Sequence, residues 1–121
     1  SPMMNILSGK GFGREQFRLE DGSELKTHRT LTGKVEAAVK VGIRPEHIEL
    51  DEEGPVCGKV AVVERLGADS FLHVDLEAGT TVLVRQAGNS NLEEETNVRM
   101  RFLPEHLHIF NAKGKALTLN T

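Results

Sequence analysis

An all-β fold, a small barrel built from short antiparallel strands, is the architecture this sequence predicts. Three observations carry that reading. Through most of the second half, apolar and polar residues alternate at period two, which sends neighbouring side chains to opposite faces of a strand. Turn signals built on Gly, Pro and Asp recur about every ten residues, the spacing of a barrel or sandwich. Nothing helical of useful length separates the strands, which argues against a βαβ arrangement.

The elements follow in order. Residues 4–7 and 16–19 read as the first strands, with Gly9, Gly11 and Gly13 as a flexible turn between them and Asp21-Gly22 as the next turn. Residues 31–41 contain the good helix formers Glu36, Ala37 and Ala38. Gly33 and Gly42 bracket them, however, and Val35, Val39 and Val41 favour an extended chain, with residues 39–44 as the strand. Residues 56–66, rich in valine and bounded by Gly54-Pro55 and Gly67, form a longer strand. In 71–76, Leu72, Val74 and Leu76 share one face while His73 and Asp75 take the other; 81–85 alternates again after a turn at Gly79, which predicts a hairpin. Residues 91–96, around Glu93-Glu94-Glu95, read as a solvated acidic loop, with a single helical turn as the alternative. Val98, Met100 and Phe102 alternate with Arg99 and Arg101, and Pro104 ends that strand because it has no N–H for a ladder. Leu107 and Ile109, then Leu117 and Leu119, continue the pattern after breaks at Pro104-Glu105 and Lys113-Gly114. No solenoid repeat or low-complexity linker interrupts it.

Composition bounds the function. A chain of 121 residues with 38% hydrophobic and 27% charged residues fits one folded domain, expected here to span residues 1–121. With no Trp or Tyr and five Phe, its core must be aliphatic. The net charge of −3 and the scarcity of aromatics oppose nucleic-acid binding, which needs a basic stripe and stacking platforms. No apolar run is long enough to span a bilayer, and the first thirty residues lack the charged head and apolar stretch of a secretory leader. A lone Cys57 forms no internal disulfide and fits a reducing cytosol. The opening Ser1-Pro2-Met3, without an initiator methionine, reads as a piece of a longer protein.

Searches for chemistry return nothing. Gly9-Lys10-Gly11-Phe12-Gly13 lacks the preceding strand and the following Ser or Thr of a phosphate-cradling loop. His106 and His108 stand two apart but bring no third ligand, so no metal site is expected. Ser70, Ser90 and Cys57 have no nucleophile elbow or Cys-His partner, and Asp51-Glu52-Glu53 read as an exposed turn. The residues alone stop at a β-barrel domain whose function is binding, with no catalytic residues.

A resemblance carries the reading further. Val41-Gly42-Ile43-Arg44-Pro45-Glu46-His47-Ile48 resembles the Gly-Ile-Arg-Pro-Glu-His signature in the C-terminal domain of ATPase subunits of carbohydrate and glycerol-phosphate ABC importers, the maltose-importer ATPase family. Ser1-Pro2-Met3-Met4-Asn5 resembles the Ser-Pro-x-Met-Asn motif that leads into that domain. Further matches are Gly58, Val60, Val63-Glu64, Leu66-Gly67, Gly79, Arg85, Leu92 and the run from Phe102 through Pro104-Glu105-His106-Leu107-His108 to Phe110. The chain departs from the pattern at Leu92, followed by Glu93-Glu94-Glu95 where the family often has a Leu-x-x-Gly turn.

The resemblance implies a TOBE-type regulatory module, an OB-fold-like barrel, that pairs two ATPase subunits. Its implied partners are the nucleotide-binding domain of its own chain, a second copy, the permease subunits and a regulatory protein, at the cytoplasmic face of the membrane. ATP and Mg are expected only in that nucleotide-binding domain, and no cofactor here. Candidate interdomain or dimer contacts are Ser1, Pro2, Met4, Asn5, Gly42, Arg44, Pro45, Glu46 and His47. Gly42 permits close backbone approach, Arg44 offers a planar fork of donors and Pro45 stiffens the corner that presents Glu46. Equally, Arg44 and Glu46 would serve merely to tie a turn to the barrel. Two other readings remain: an oxyanion-binding TOBE module using Ser90, Asn91 and Lys59, and a single-strand nucleic-acid binder.

Overall fold

The computed structural model describes residues 4–12, 16–26, 30–31, 38–111, 113–116 and 119–120. Its strands are β1 (Asn5–Phe12), β2 (Gln16–Leu19), β3 (Glu24–Lys26), β4 (Thr30–Leu31), β5 (Ala38–Ile43), β6 (Ile48–Leu50), β7 (Val56–Arg65), β8 (Asp69–Leu76), β9 (Thr81–Ala87), β10 (Asn97–Phe102), β11 (His108–Asn111) and β12 (Leu119–Asn120). One sheet runs β11-β5-β1-β2-β3 and a second runs β6-β10-β7-β8-β9, while β4 pairs with β12. All pairings are antiparallel. The all-β barrel read from the sequence is therefore the fold, an OB-like barrel close to closure.

Alternation explains the core. Leu7 of β1, Phe17 and Leu19 of β2, Leu25 of β3 and Val39, Val41 and Ile43 of β5 turn inward from the first sheet. Val56, Val60, Leu72, Val74, Leu76, Val82, Val84, Met100 and Phe102 meet them from the second, and all belong to one buried cluster. Each such aliphatic contributes about 1.5–3 kcal/mol relative to the same side chain left in water. The β8–β9 hairpin expected from alternation is present, closed by Gly79 at φ 90°, with Leu76 N–H bonded to Thr80 O at 2.8 Å.

Some expectations need correction. Gly9 and Gly11 do not form a turn but lie inside β1. A Cβ at Gly9 would stand 2.8 Å from the Arg18 carbonyl, so glycine is there for close strand approach. Two strands of three residues, β3 and β6, were not foreseen, because so short a segment carries no readable period. Of the 31–41 segment, Leu31 and 38–41 are extended as expected; 32–37 lie outside the described residues, as does Leu117.

Between the two five-stranded sheets the described chain crosses twice, both times through the same tripeptide. Pro45–His47 forms a 3₁₀ turn that passes β5 of the first sheet into β6 of the second. Pro104–His106 forms another that passes β10 of the second sheet into β11 of the first. The strands so exchanged pair with each other: His108 stands opposite Gly42, and Phe102 opposite Ile48. The two crossings are thus equivalent halves of an internal two-fold exchange at one constant sequence offset.

Candidate functional site

Met4 and Asn5, the described residues of the first motif, lie beside Gly42 and Ile43 of the second, some forty residues away in the sequence. In the β1–β5 register Asn5 stands opposite Ile43 and Ile6 opposite Gly42. On the other side of β5, Gly42 faces His108. Gly42 has no side chain because its neighbours occupy that space. A Cβ there would meet Met4 Sδ at 2.5 Å, Phe110 Cε2 at 3.1 Å and Ile6 Cδ1 at 3.4 Å. Ile6, half exposed at 51%, extends this apolar cover outward.

Asn5 does a separate job. Its amide donates from Nδ2 to Leu83 O at 2.9 Å and accepts from Leu83 N–H at 2.8 Å. The side chain therefore stands in for a neighbouring strand along the open edge of β9 and joins the first sheet to the second. Ser1 and Pro2 lie outside the described residues.

The Arg44–His47 corner is held by its backbone. Pro45 is fully buried, His47 N–H bonds Arg44 O at 3.0 Å, and Leu103 N–H bonds His47 O at 3.0 Å. The Arg44 side chain makes no hydrogen bond or ion pair among the described residues, and Glu46 Oε1 is buried without a partner. His47 stacks on His106 with ring centroids 3.6 Å apart and 7° between planes. Burial, and then the neighbouring His106, keeps the His47 imidazole below its ordinary pKa; Glu46 opposes this, while Arg44 and His108 add to it.

The stack escaped sequence reading, although its signal was there: Pro-Glu-His occurs twice, each time before an aliphatic residue. His108 is exposed on β11, an edge strand, whereas His106 lies on the 3₁₀ turn Pro104–His106. Among the described residues no three His, Cys, Asp or Glu side chains converge as metal ligands. Ser90 and Lys59, two of the three oxyanion candidates, have neighbours within the chain. Ser90 N–H bonds Ser70 Oγ, Ser90 Oγ accepts Leu92 N–H, and Lys59 approaches Glu95 at 3.8 Å. The 51–53 segment is the turn expected, organised by Asp51. Its carboxylate accepts from Arg101 Nε and Glu53 N–H, both at 2.8 Å, which holds it below the usual carboxylate range.

What these elements define is an OB-type β-barrel. The comparisons agree. The TOBE domain profile matches residues 41–110 and the MalK OB fold domain profile matches residues 1–48. The chain belongs to the TOBE domain family. Over 112 residues it is 35% identical to the sn-glycerol-3-phosphate import ATP-binding protein UgpC of Ruegeria sp. (strain TM1040), covering 92% of this chain and 30% of that protein. Over 125 residues it is 29% identical to the maltose/maltodextrin import ATP-binding protein MalK of Vibrio cholerae serotype O1, covering 96% of this chain and 33% of that protein. It spans about a third of these relatives' length. The cytoplasmic molybdate-binding protein ModG shares the fold at TM-score 0.73 and 13% identity, with 87% of this chain and 94% of that one aligned.

Proposed function

We propose that this chain is the regulatory and dimerisation domain of the ATP-binding subunit of an ABC importer for sugars, polyols or glycerol phosphate. The observation that carries the reading is the meeting of Met4 and Asn5, the described residues of the first family motif, with Gly42 and Ile43 of the second. Met4 covers Gly42, Asn5 fastens β1 to β9, and the adjacent Arg44-Pro45-Glu46 corner is held by its backbone, with Glu46 Oε1 lacking a hydrogen-bond partner among the described residues. A stiff corner whose guanidinium forms no ion pair among the described residues suits docking against protein. ATP hydrolysis, with its Mg, belongs on this reading to a nucleotide-binding domain elsewhere in the parent polypeptide. The parent would sit on permease subunits at the cytoplasmic face of the membrane, with a second copy and a regulatory protein as further partners. Among the described residues no helix is long and apolar enough to cross a membrane.

Sedimentation of the 121-residue chain over a concentration series tests the self-association. The expected outcome is reversible dimerisation that Arg44→Ala combined with Glu46→Ala weakens without lowering thermal stability. A strict monomer at the highest concentration, or a dimer indifferent to both changes, counts against this corner as the contact.

A further inference from the structure

The two crossings between the sheets are built from the same residues, and they touch. Pro45–His47 and Pro104–His106 lie against each other through the parallel imidazoles of His47 and His106, 3.6 Å apart, backed by the Leu103 N–H bond to His47 O. We propose that this imidazole stack is an acid-sensitive clasp. It holds the two crossings together, and through them the two sheets, while at least one ring is neutral, and it lets them part when both rings carry a proton.

The physical argument rests on the separation. Two neutral rings, or one neutral ring and one cation, attract face to face. Two imidazolium ions at this distance repel, and the partly buried setting screens them less than water would. The charged surroundings do not cancel the effect. On the first turn Glu46 favours a proton on His47, while Arg44 disfavours it. His106 and His108, on the second turn and on β11, also disfavour it. Glu105 adjoins His106 on the second turn. The strand β9 packs against the first turn, and its Arg85 is held in an ion pair with Asp69. Among the described residues His47 Nδ1 is buried with no hydrogen-bond partner, so a proton placed there finds no acceptor among them in the stacked arrangement.

The direction of the pH dependence follows. A histidine whose value is lower in the folded chain than in the unfolded chain contributes stability that is fully present above the ordinary value of about 6.5. That contribution is lost as pH falls through the folded value. Loosening is therefore confined to the acid side of that ordinary value.

Hydrogen exchange read by NMR on the 121-residue chain, from about pH 7.5 to 5, tests the clasp. After correction for intrinsic exchange, protection at the Leu103 amide should fall several-fold on acidification, while amides of Leu72 and Val74 in the central ladder keep theirs. His106→Phe retains a flat ring without the second charge and should hold Leu103 protection across the range. His47→Phe serves the same purpose should the first variant fold poorly. An equal acid loss in a folded Phe variant, unchanged Leu103 protection while both rings titrate, or a loss spread evenly over β7 and β8 overturns the proposal.

Discussion

Asn5 and Glu95 show how much single side chains decide here. Asn5 supplies both a donor and an acceptor to Leu83, a residue 78 positions along the chain. Asn5→Ala should cost about 1–3 kcal/mol in urea unfolding, because Leu83 keeps a partly buried N–H and C=O with nothing to meet them. Asn5→Asp should do no better, since it retains the acceptor but sets a carboxylate against the Leu83 carbonyl. Wild-type stability in either variant would mean that the sheets are joined elsewhere. Glu95 sits at φ 70°, the single described non-glycine residue in the left-handed region. It falls at the glycine position of the family's Leu-x-x-Gly turn, which accounts for that glycine physically. The conformation is fixed by Glu95 N–H to Val60 O at 2.7 Å and Val60 N–H to Thr96 O at 2.9 Å. Glu95→Gly relieves about 1–2 kcal/mol of strain and returns roughly 0.5–1 to unfolded-state entropy. Thermal melts should therefore show a small gain; the exposed, 3.8 Å pair with Lys59 is too weak to reverse it.

At the scale of elements, Ser70 organises the loop between β9 and β10. Fully buried on β8, its hydroxyl donates to Gly88 O and accepts from Ser90 N–H, both at 2.8 Å. Arg65 on β7 grips the same loop through Ser90 O and Leu92 O. Ser70→Ala leaves a buried N–H and C=O unmet and should lower stability by about 1–3 kcal/mol, with raised exchange at Ser90 and Leu92. A neutral effect on both readouts would show that the loop is held by Arg65 alone. Which elements were legible in the sequence follows from the same physics. The β8 and β9 strands declare themselves because one face is buried and the other wet, so polarity alternates. The trios at β3 and β6 and the two 3₁₀ turns are too short to express any period. Closure by Asn5 and the His47–His106 stack unite residues far apart in the chain, a matter of geometry that local pattern does not encode. The motif resemblance singled out Met4, Asn5, Gly42 and His47, but only the paired strands reveal that Met4 shields Gly42.

For the whole molecule, the question is whether the halves matched by two family profiles can stand apart. The TOBE profile begins at residue 41, in the middle of β5. A fragment of residues 41–110 would lose Leu7, Phe17, Leu19, Leu25 and Val39 from the buried cluster. It would also strip β5 of its β1 partner and leave the inner faces of Val41, Ile43 and Ile109 against water. Losing five buried aliphatic and aromatic side chains forfeits of order 10 kcal/mol, comparable to the entire stability of a domain this size. The intact chain should accordingly unfold in one cooperative transition. The 41–110 fragment should show none, bind a hydrophobic dye and lack dispersed methyl signals. A fragment melting cooperatively near the temperature of the full chain would mean that the second sheet, with its own β7–β8–β9 ladder, is self-sufficient. In that case the first sheet would be an appendage, and the Met4–Gly42 contact a docking joint between two folding units.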